Sequence, residues 1–364
     1  MNDRDTITSK QLVFIIIGAQ VATGVFSLPH LASIEARQDA WLAVLLGAMA
    51  PLLALLVIER LGRRMPEAGF VGMNYLLFGR WLGAGMVFLF TAYAVFFQAV
   101  VVRIFAEITN IFLLPRTPLP VIVLLVLIGA VYVINKGARV VARVNEILFW
   151  IVLPLLFLLM IPLVNADYTN LLPVGEAGLA GIARGALTSS YSYAGIEILL
   201  VFYFLVGRKE EIIKAGLLGL GFTATAYLVV TLVCLLVWGQ ELLQIINWPV
   251  LRILKTIKFA LLERPEFFML AVWMGLGVRP TMNMGFAVSY ALSEILHVDR
   301  SKYFHLVVLS IALLIYITAL LPADIIVAFK WSDYAGYSFW LAGLFYPLLM
   351  LVTAIIRGKE AQNE

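Results

Sequence analysis

The sequence predicts an all-α polytopic membrane protein whose ten transmembrane helices form two inverted repeats of five, with breaks in helices 1 and 6. Composition is the first observation behind this fold class. Hydrophobic residues make up 63% of the 364-residue chain and charged residues 13%, about half of the roughly 25% that is usual in soluble domains. A soluble fold could not cover that much apolar surface with polar groups, and a disordered chain or a nucleic-acid-binding protein is excluded as well.

The chain contains ten apolar segments near the length that a membrane-crossing helix needs, about 20 residues. They lie at residues 11–33, 40–58, 82–112, 119–134, 144–164, 182–206, 215–239, 266–296, 304–322 and 335–356. We therefore predict a single membrane domain over residues 1–364, with a first five-helix repeat at 11–164 and a second at 182–356. Apolar and basic residues at helical spacing in residues 247–263 predict an interfacial amphipathic helix between spans 7 and 8.

Lys and Arg are distributed unevenly between the two sides that these spans define. With the amino terminus inside, sixteen Lys and Arg lie in the inner segments and eight in the outer segments. Cytoplasmic loops of membrane proteins carry the excess of these residues. The sequence therefore predicts a multi-pass protein with both termini in the cytoplasm.

Two spans contain residues that interrupt a helix. Span 1 reads GAQVATGVFSLP around Gly24, and span 6 reads ARGALTSSYSYAGIEILL around Gly195. Each break falls in the first span of one half of the chain, and because five is odd, the two halves have opposite orientations in the membrane. This pattern predicts an inverted-repeat transporter fold with its binding site at the breaks. The alternative is that the Gly and Ser residues only allow neighbouring helices to pack closely.

A broken helix exposes backbone N–H and C=O groups, which lipid cannot satisfy. The free N–H groups of one half-helix can bind a carboxylate, and the free carbonyls of the other can bind a cation. A small amino acid carries both charges and fits such a gap. The other possibility is a purely structural break filled by side chains and water.

Several longer stretches carry a resemblance to a known family. They are ITSKQLVFIIIGAQVATGVFSLP, QDAWLAVLLGAMAPLLALLVIERLGRRMPEAGF, ARVNEILFW, LLPVGEAGLAGIARGAL, AGIE and ERPEFFMLAVW. In order and spacing they resemble the B subunits of bacterial spore germinant receptors, a family within the amino acid–polyamine–organocation permeases, and the resemblance covers essentially the whole chain. It implies a ten-helix fold of the LeuT type. It also implies a protein of the spore inner membrane that recognises a small amino acid beside A-type and C-type receptor subunits.

The candidate ligand-binding residues are those of the two breaks, together with polar and aromatic side chains on spans 3, 6 and 8. They are Thr23, Gly24, Tyr93, Phe97, Gln98, Tyr191, Ser192, Tyr193, Ala194, Gly195, Glu197 and Asn283. Hydroxyl groups and glycine backbone can contact a ligand without burying a charge. Glu197 is an ionisable group within the membrane, and it either pairs with a ligand ammonium or carries a proton, or it caps the second half of helix 6.

A second group of residues is assigned to gating or coupling, with a purely structural role as the alternative for each. They are Arg103, Glu107, Glu146, Arg279, Ser289 and Ser293. Arg103 and Glu107 are four residues apart and can pair on one helix face. Arg279 at membrane depth requires an anionic or carbonyl partner, and the two serines could join carbonyls of span 1 in a sodium site.

Two functions from different classes fit these features. The first is a nutrient germinant receptor subunit, which binds a small amino acid and passes a conformational change to its partner subunits in the bilayer. The alternative is an H⁺- or Na⁺-coupled amino acid transporter, and a third reading is a membrane scaffold with a vestigial pocket. No catalytic motif occurs in a usable context, so we expect no enzyme activity, no cofactor, no bound metal and no nucleic-acid partner.

Overall fold

Helices make up almost all of the protein. The computed structural model describes residues 5–256 and 265–358. Its α-helices are α1 (Ser9–Gln20), α2 (Gly24–Ala36), α3 (Ala40–Gly47), α4 (Met49–Arg64), α5 (Gly69–Phe78), α6 (Arg80–Phe112), α7 (Leu119–Ile134), α8 (Ala138–Leu158), α9 (Gly178–Ser190), α10 (Leu199–Phe202), α11 (Ile212–Leu243), α12 (Pro249–Thr256), α13 (Pro265–Ile295), α14 (Phe304–Leu320), α15 (Ile325–Phe339) and α16 (Tyr346–Ile356). Within the described residues the backbone forms no β-strand, and one isolated parallel bridge joins Ile7 to Val206.

The predicted spans correspond to these helices, and spans 1 and 6 are divided by a change of backbone direction. Span 2 consists of α3 and α4, which are separated only by Ala48, whose backbone stays in the α-helical region. Span 1 is divided into α1 and α2, and span 6 is divided between α9 and α10. Both divided spans lie inside the bundle, since α1 and α2 pack against α8, α9, α11 and α13. By length and composition alone, five helical stretches among the described residues are apolar enough to cross a membrane, and several shorter apolar helices accompany them. The count of ten spans stays a prediction.

Two elements differ from the sequence prediction. Helix α5 lies between predicted spans 2 and 3, where the sequence predicts no span. Helix α15 begins at Ile325, ten residues before predicted span 10, because the Asp324 carboxylate caps it by accepting a hydrogen bond from the Val327 N–H at 2.9 Å. Lys330 and Asp333 lower the hydropathy of this first part of the helix, so a hydropathy window does not detect it.

The predicted amphipathic helix is described only in its first half. Helix α12 extends from Pro249 to Thr256, and the remainder, residues 257–264, lies outside the described residues. Val250 and Leu251 are buried, whereas Arg252 is exposed. The apolar face therefore packs on the protein, partly against α2, and the position of this helix at the membrane surface stays a prediction.

The start of the chain is bound to the end of span 6. The Ile7 N–H donates to the Leu205 carbonyl at 2.9 Å, and the Gly207 N–H donates to the Ile7 carbonyl at 3.1 Å. Beside this bridge the Ser9 hydroxyl donates to the Glu211 carboxylate, and this bond, with Arg208, lowers the pKa of Glu211. These contacts hold the start of the chain against the end of span 6.

Candidate ligand site at the two helix breaks

The first break interrupts span 1 at residues 21–23. Helix α1 ends at Gln20 and α2 begins at Gly24. The Val21 N–H still bonds to the Ile17 carbonyl at 2.8 Å, but Val21 has a ψ of 90°, which turns the chain out of the helix. The polar atoms freed by this turn must therefore find partners elsewhere in the protein.

The second break contains the most constrained backbone of the site. Ala194 is extended, with a ψ of 151°, and Gly195 has a φ of +116°. A side chain at Gly195 would begin 2.9 Å from the carbonyl carbon and oxygen of Ala19 on α1. Glycine is required here by both the left-handed backbone and the close approach of the two broken spans.

The two breaks lie side by side and share hydrogen bonds. The Gln20 Nε2 donates to the Tyr193 carbonyl at 3.0 Å. From α11, the Tyr227 hydroxyl lies 2.8 Å from the Gln20 carbonyl and 2.9 Å from the Ser192 carbonyl. A tyrosine of a third helix thus holds both breaks together.

Tyr227→Phe is expected to lower the free energy of unfolding by about 1–2 kcal/mol, since two buried carbonyls lose their shared donor. Thermal unfolding of purified protein, followed by loss of the monodisperse size-exclusion peak, measures this effect. Tyr132→Phe is the control, because the Tyr132 side chain is 68% exposed. Equal stability of the two variants would show that the Tyr227 bridge does not hold the breaks.

Glu197 is buried against spans 3 and 10. Its Oε1 accepts a hydrogen bond from the Tyr93 hydroxyl at 2.7 Å, and its Oε2 accepts one from the Gly195 N–H at 2.9 Å. Gly343 faces the same carboxylate, and it lies in a π-helical segment, Trp340–Phe345, between α15 and α16. Among the described residues no Lys or Arg forms an ion pair with Glu197. Its carboxylate joins the second break to span 3 through these two hydrogen bonds, and its role as a ligand group or as a structural group stays a prediction.

Aromatic side chains surround the break on the span 3 side. The rings of Tyr93 and Phe97 are 5.8 Å apart, and those of Phe97 and Tyr191 are 5.9 Å apart. Gln98 is buried, and its Oε1 has no hydrogen-bond partner. Tyr93, which bonds to Glu197, and Phe97, which contacts Tyr191, are therefore brought to the second break.

Two acceptors at the breaks are buried without partners. They are the Oε1 of Gln20 and the Oγ of Ser192. Ser192 also contacts the first break, since a side chain placed at Gly24 would begin 3.1 Å from its Oγ. Thr23 is buried next to Gly24 and makes no capping hydrogen bond through its side chain. Unbonded buried acceptors are costly, so a small polar ligand or water is the expected partner for them.

A cavity of about 470 Å³ reaches Tyr191, the residue that follows α9 at the start of the second break. We call it the vestibule; it is lined by residues of α2, α9 and α15 and by Tyr191, where α9 ends. The Arg184 Nε donates to the Glu35 Oε2 at 2.8 Å along its wall. The Ser332 hydroxyl lies 3.0 Å from the Tyr191 hydroxyl. Its volume falls within the range of small-molecule sites, roughly 300–1,000 Å³.

Asn283 is used in helix packing. Its Nδ2 donates to the Ile15 carbonyl of α1 at 3.2 Å, and its amide exchanges hydrogen bonds of 2.6 and 3.2 Å with the Asn145 amide on α8. Sequence reasoning did not select Asn145, although an Asn within an apolar span is a detectable signal. Gly18 allows this contact, because a side chain there would overlap the Asn145 amide.

Gly18→Ala is expected to destabilise the protein by about 1–3 kcal/mol through overpacking. The thermal midpoint of the purified variant measures the effect. Gly221→Ala on α11 is the control, since no atom lies within 4 Å of the added carbon, and alanine favours the helix there. The double variant Gly18→Ala with Asn145→Ala should regain part of the lost stability. If it does not, overlap with the Asn145 amide is not the cause of the destabilisation.

Three of the gating candidates, Arg103, Glu107 and Glu146, form ion pairs or hydrogen bonds within the protein. The Arg103 Nε donates to the Glu107 Oε1 at 2.9 Å, and its Nη1 donates to the carbonyls of Ala319 and Pro322 at 3.1 and 2.7 Å. These bonds tie span 3 to the end of α14. Glu146 forms an ion pair with Lys10 at 3.3 Å.

The remaining candidates lie on α13. The Ser293 hydroxyl donates to the Tyr290 carbonyl within its own helix at 2.7 Å, whereas the Ser289 hydroxyl is buried without a partner. Arg279 is 1% exposed, and its Nε and Nη1 have no hydrogen-bond partner. In the part of the chain that the structure describes, no group of three or more His, Cys, Asp or Glu could hold a metal ion.

Comparison with known proteins decides the family. A family model described as spore germination protein matches residues 6–325. The chain belongs to the spore germination protein family. It is 29% identical over 271 residues to spore germination protein YndE of Bacillus subtilis (strain 168), covering 73% of this chain and 75% of that protein. It is 24% identical to spore germination protein GerQB of Bacillus cereus, covering 85% of each.

Solved structures show the fold of this spore germination protein. A Na⁺-coupled sialic acid symporter in a substrate-bound outward-open state matches with a TM-score of 0.68 at 9% identity, over 97% of this chain and 89% of the symporter. MhsT in complex with L-phenylalanine matches with a TM-score of 0.64 at 16% identity, over 97% and 90% of the two chains. The predicted all-α membrane fold of the LeuT type, and the family resemblance, are confirmed. This family member is a multi-pass membrane protein.

Proposed function

We propose that this protein is the B subunit of a nutrient germinant receptor, which binds a small amino acid at the paired breaks and signals to A-type and C-type subunits. The observation that carries the proposal is the pair of adjoining breaks with two unbonded buried acceptors, Gln20 Oε1 and Ser192 Oγ. A zwitterion satisfies such acceptors with its ammonium group. Family membership supports the role in germination, and the spore inner membrane is the proposed location.

The direction of access follows from the proposed orientation. With both termini in the cytoplasm, the vestibule opens to the outside, and the contacts of Ile7 with span 6 close the cytoplasmic side. A nutrient then reaches the breaks from outside through the vestibule. Binding changes the equilibrium between two conformations only by its difference in affinity for them, so the signal to partner subunits requires that the breaks change shape when the ligand leaves.

Ligand binding is tested on purified protein in nanodiscs with glycine, the other proteinogenic L-amino acids and the D-enantiomers of the chiral ones as probes. We expect at least one small L-amino acid to raise the thermal midpoint in a saturable way. Gly24→Trp places a large side chain against Ser192 at the junction of the breaks and should abolish this shift, whereas Gly221→Trp, which faces open space, should retain it. A shift that survives Gly24→Trp in folded protein places the ligand elsewhere and contradicts the proposal.

Transport is the competing function within the same fold. Proteoliposomes with a pH or Na⁺ gradient and a labelled amino acid separate the two. A receptor binds the label without accumulating it, whereas gradient-dependent accumulation that Gly24→Trp abolishes identifies an H⁺- or Na⁺-coupled transporter. Loss of the nutrient response in spores carrying Gly24→Trp, at normal membrane levels of the protein, excludes a scaffold role.

A further inference from the structure

Arg279 is a buried cation without an anion. It lies near the middle of α13 and is 1% exposed, and two of its nitrogens, Nε and Nη1, have no hydrogen-bond partner. Among the described residues no carboxylate forms an ion pair with it. Arg103, the other buried arginine, is bonded to Glu107 and to two backbone carbonyls. A buried charge without partners is strongly unfavourable. We therefore looked for a group that could bind the Arg279 guanidinium.

The packing of α13 against α1 indicates where the Arg279 side chain lies. Asp5 forms an ion pair with Arg300 at 3.6 Å, and Asn283 bonds to the Ile15 carbonyl at 3.2 Å, so the two helices run antiparallel. Residues four apart lie on the same helix face. Arg279 is therefore one turn further than Asn283 along the face that contacts α1, at the level where α1 ends at Gln20.

Tyr227 connects this position to both breaks. Its hydroxyl bonds to the carbonyls of Gln20 and Ser192, and it interacts electrostatically with the Arg279 guanidinium and with Tyr191. Tyr191 lines the vestibule. The helix register and this interaction therefore both direct the Arg279 guanidinium toward the side of the bundle where the two breaks meet.

The unbonded groups at this junction have complementary signs. Arg279 offers donors and a positive charge, and Gln20 Oε1 and Ser192 Oγ offer acceptors. Among the described residues Glu197 forms no ion pair with Arg279, and its two oxygens accept hydrogen bonds from Tyr93 and Gly195. A guanidinium binds a carboxylate through paired, charge-assisted hydrogen bonds. A molecule with a carboxylate and an ammonium group a few ångströms apart satisfies every one of these groups.

We propose that Arg279 is the anion-binding residue of the ligand site, and that it selects small ligands with a free carboxylate whose ammonium group is bound by Gln20 and Ser192. This inference rests on the proposed function, because it deepens the same site. It replaces the expectation that N–H groups and hydroxyls alone bind the carboxylate. It also gives a partner to the two unbonded nitrogens of Arg279.

The test compares matched probes on nanodisc-embedded protein. The probes are the twenty L-amino acids, the primary amines that correspond to them without the carboxylate, and the carboxylic acids that correspond to them without the amino group. Arg279→Met removes the charge and keeps an unbranched side chain. We expect amino acid affinity to fall roughly 10- to 100-fold, with Arg279→Lys in between, and amine affinity to stay within about twofold. Thermal stability without ligand should be unchanged or higher, because an unpaired buried charge is removed.

Arg103→Met is the matched control, since it removes a buried arginine that has its partners, and it should lower stability without ligand. If Arg279→Met binds amino acids as the wild type does, the inference is wrong while the proposed function stands. Loss of stability in Arg279→Met, with equal loss of amino acid and amine binding, identifies a structural arginine and also overturns it. If the wild type binds only carboxylic acids and loses them in Arg279→Met, the inference stands and the proposed amino acid ligand is wrong. No binding of any probe overturns both.

Discussion

Gly195→Ala is expected to lower the free energy of unfolding by about 3–5 kcal/mol, a large part of the roughly 5–15 kcal/mol that stabilises a folded domain. Two effects add. Gly195 has a φ of +116°, where a side chain strains the backbone by about 1–3 kcal/mol. The added carbon would also lie 2.9 Å from the Ala19 backbone, and it can be accommodated only by separating the two breaks. The thermal midpoint and the yield of monodisperse protein measure this loss.

Gly175→Ala is the matched control for backbone strain. Gly175 has a φ of +88°, and a side chain there meets no atom within 4 Å. This variant carries only the strain of a left-handed backbone, so it should lose about 1 kcal/mol. If both variants lose the same stability, the close approach of the two broken spans at Gly195 does not exist in the protein.

Glu197→Ala is expected to destabilise the protein by about 2–5 kcal/mol, because the Tyr93 hydroxyl and the Gly195 N–H both lose their acceptor in a buried site. Glu197→Gln keeps one acceptor oxygen and should lose about half as much. The measurement is the thermal midpoint, together with ligand affinity for each variant that remains folded. A stable Glu197→Gln variant with altered ligand selectivity would instead identify the carboxylate as a ligand group.

A double-mutant cycle isolates the bond between Tyr93 and Glu197. Tyr93→Phe removes the donor, and Glu197→Gln weakens the acceptor. Since the two groups are 2.7 Å apart, we expect a coupling free energy of about 0.5–3 kcal/mol. Additive effects would mean that the two side chains do not interact in the membrane.

The sequence was most informative where a residue type has one strong structural use. Gly24 and Gly195 interrupt otherwise apolar spans, and their positions relative to the two halves of the chain predicted the paired breaks. The all-α membrane class followed from composition together with apolar segments of about 20 residues. These features are local, so they can be detected without knowing which helices are neighbours.

The contacts that join the breaks could not be predicted in this way. Tyr227, Gln20 and Asn145 lie far apart in the chain, and their roles depend on which helices pack together. In an apolar span, the sequence does not distinguish a tyrosine that bridges two breaks from one that only packs against its neighbours. The first part of α15 escaped detection for another reason, since Lys330 and Asp333 lower its hydropathy while the helix continues.

The hydrogen-bond partners of charged residues were equally inaccessible to sequence reasoning. Arg103 and Arg279 both lie in predicted spans, and each requires a partner. The structure gives Arg103 a carboxylate and two carbonyls and leaves two nitrogens of Arg279 unbonded. Sequence spacing predicted the Arg103–Glu107 pair, because it is local, and it could not distinguish a satisfied arginine from an unsatisfied one.

The π-helical turn at Trp340–Phe345 gives span 10 one residue more, beside Glu197, than a regular α-helix would have there. Such an insertion can migrate along a helix by exchanging a few backbone hydrogen bonds at a time, while the rest of the helix keeps its hydrogen bonds. Each residue of migration rotates the intervening side chains by about 100°, the angle between successive residues of an α-helix. Migration of the extra residue therefore rotates part of span 10, including side chains that line the vestibule, while both ends of the span stay in place.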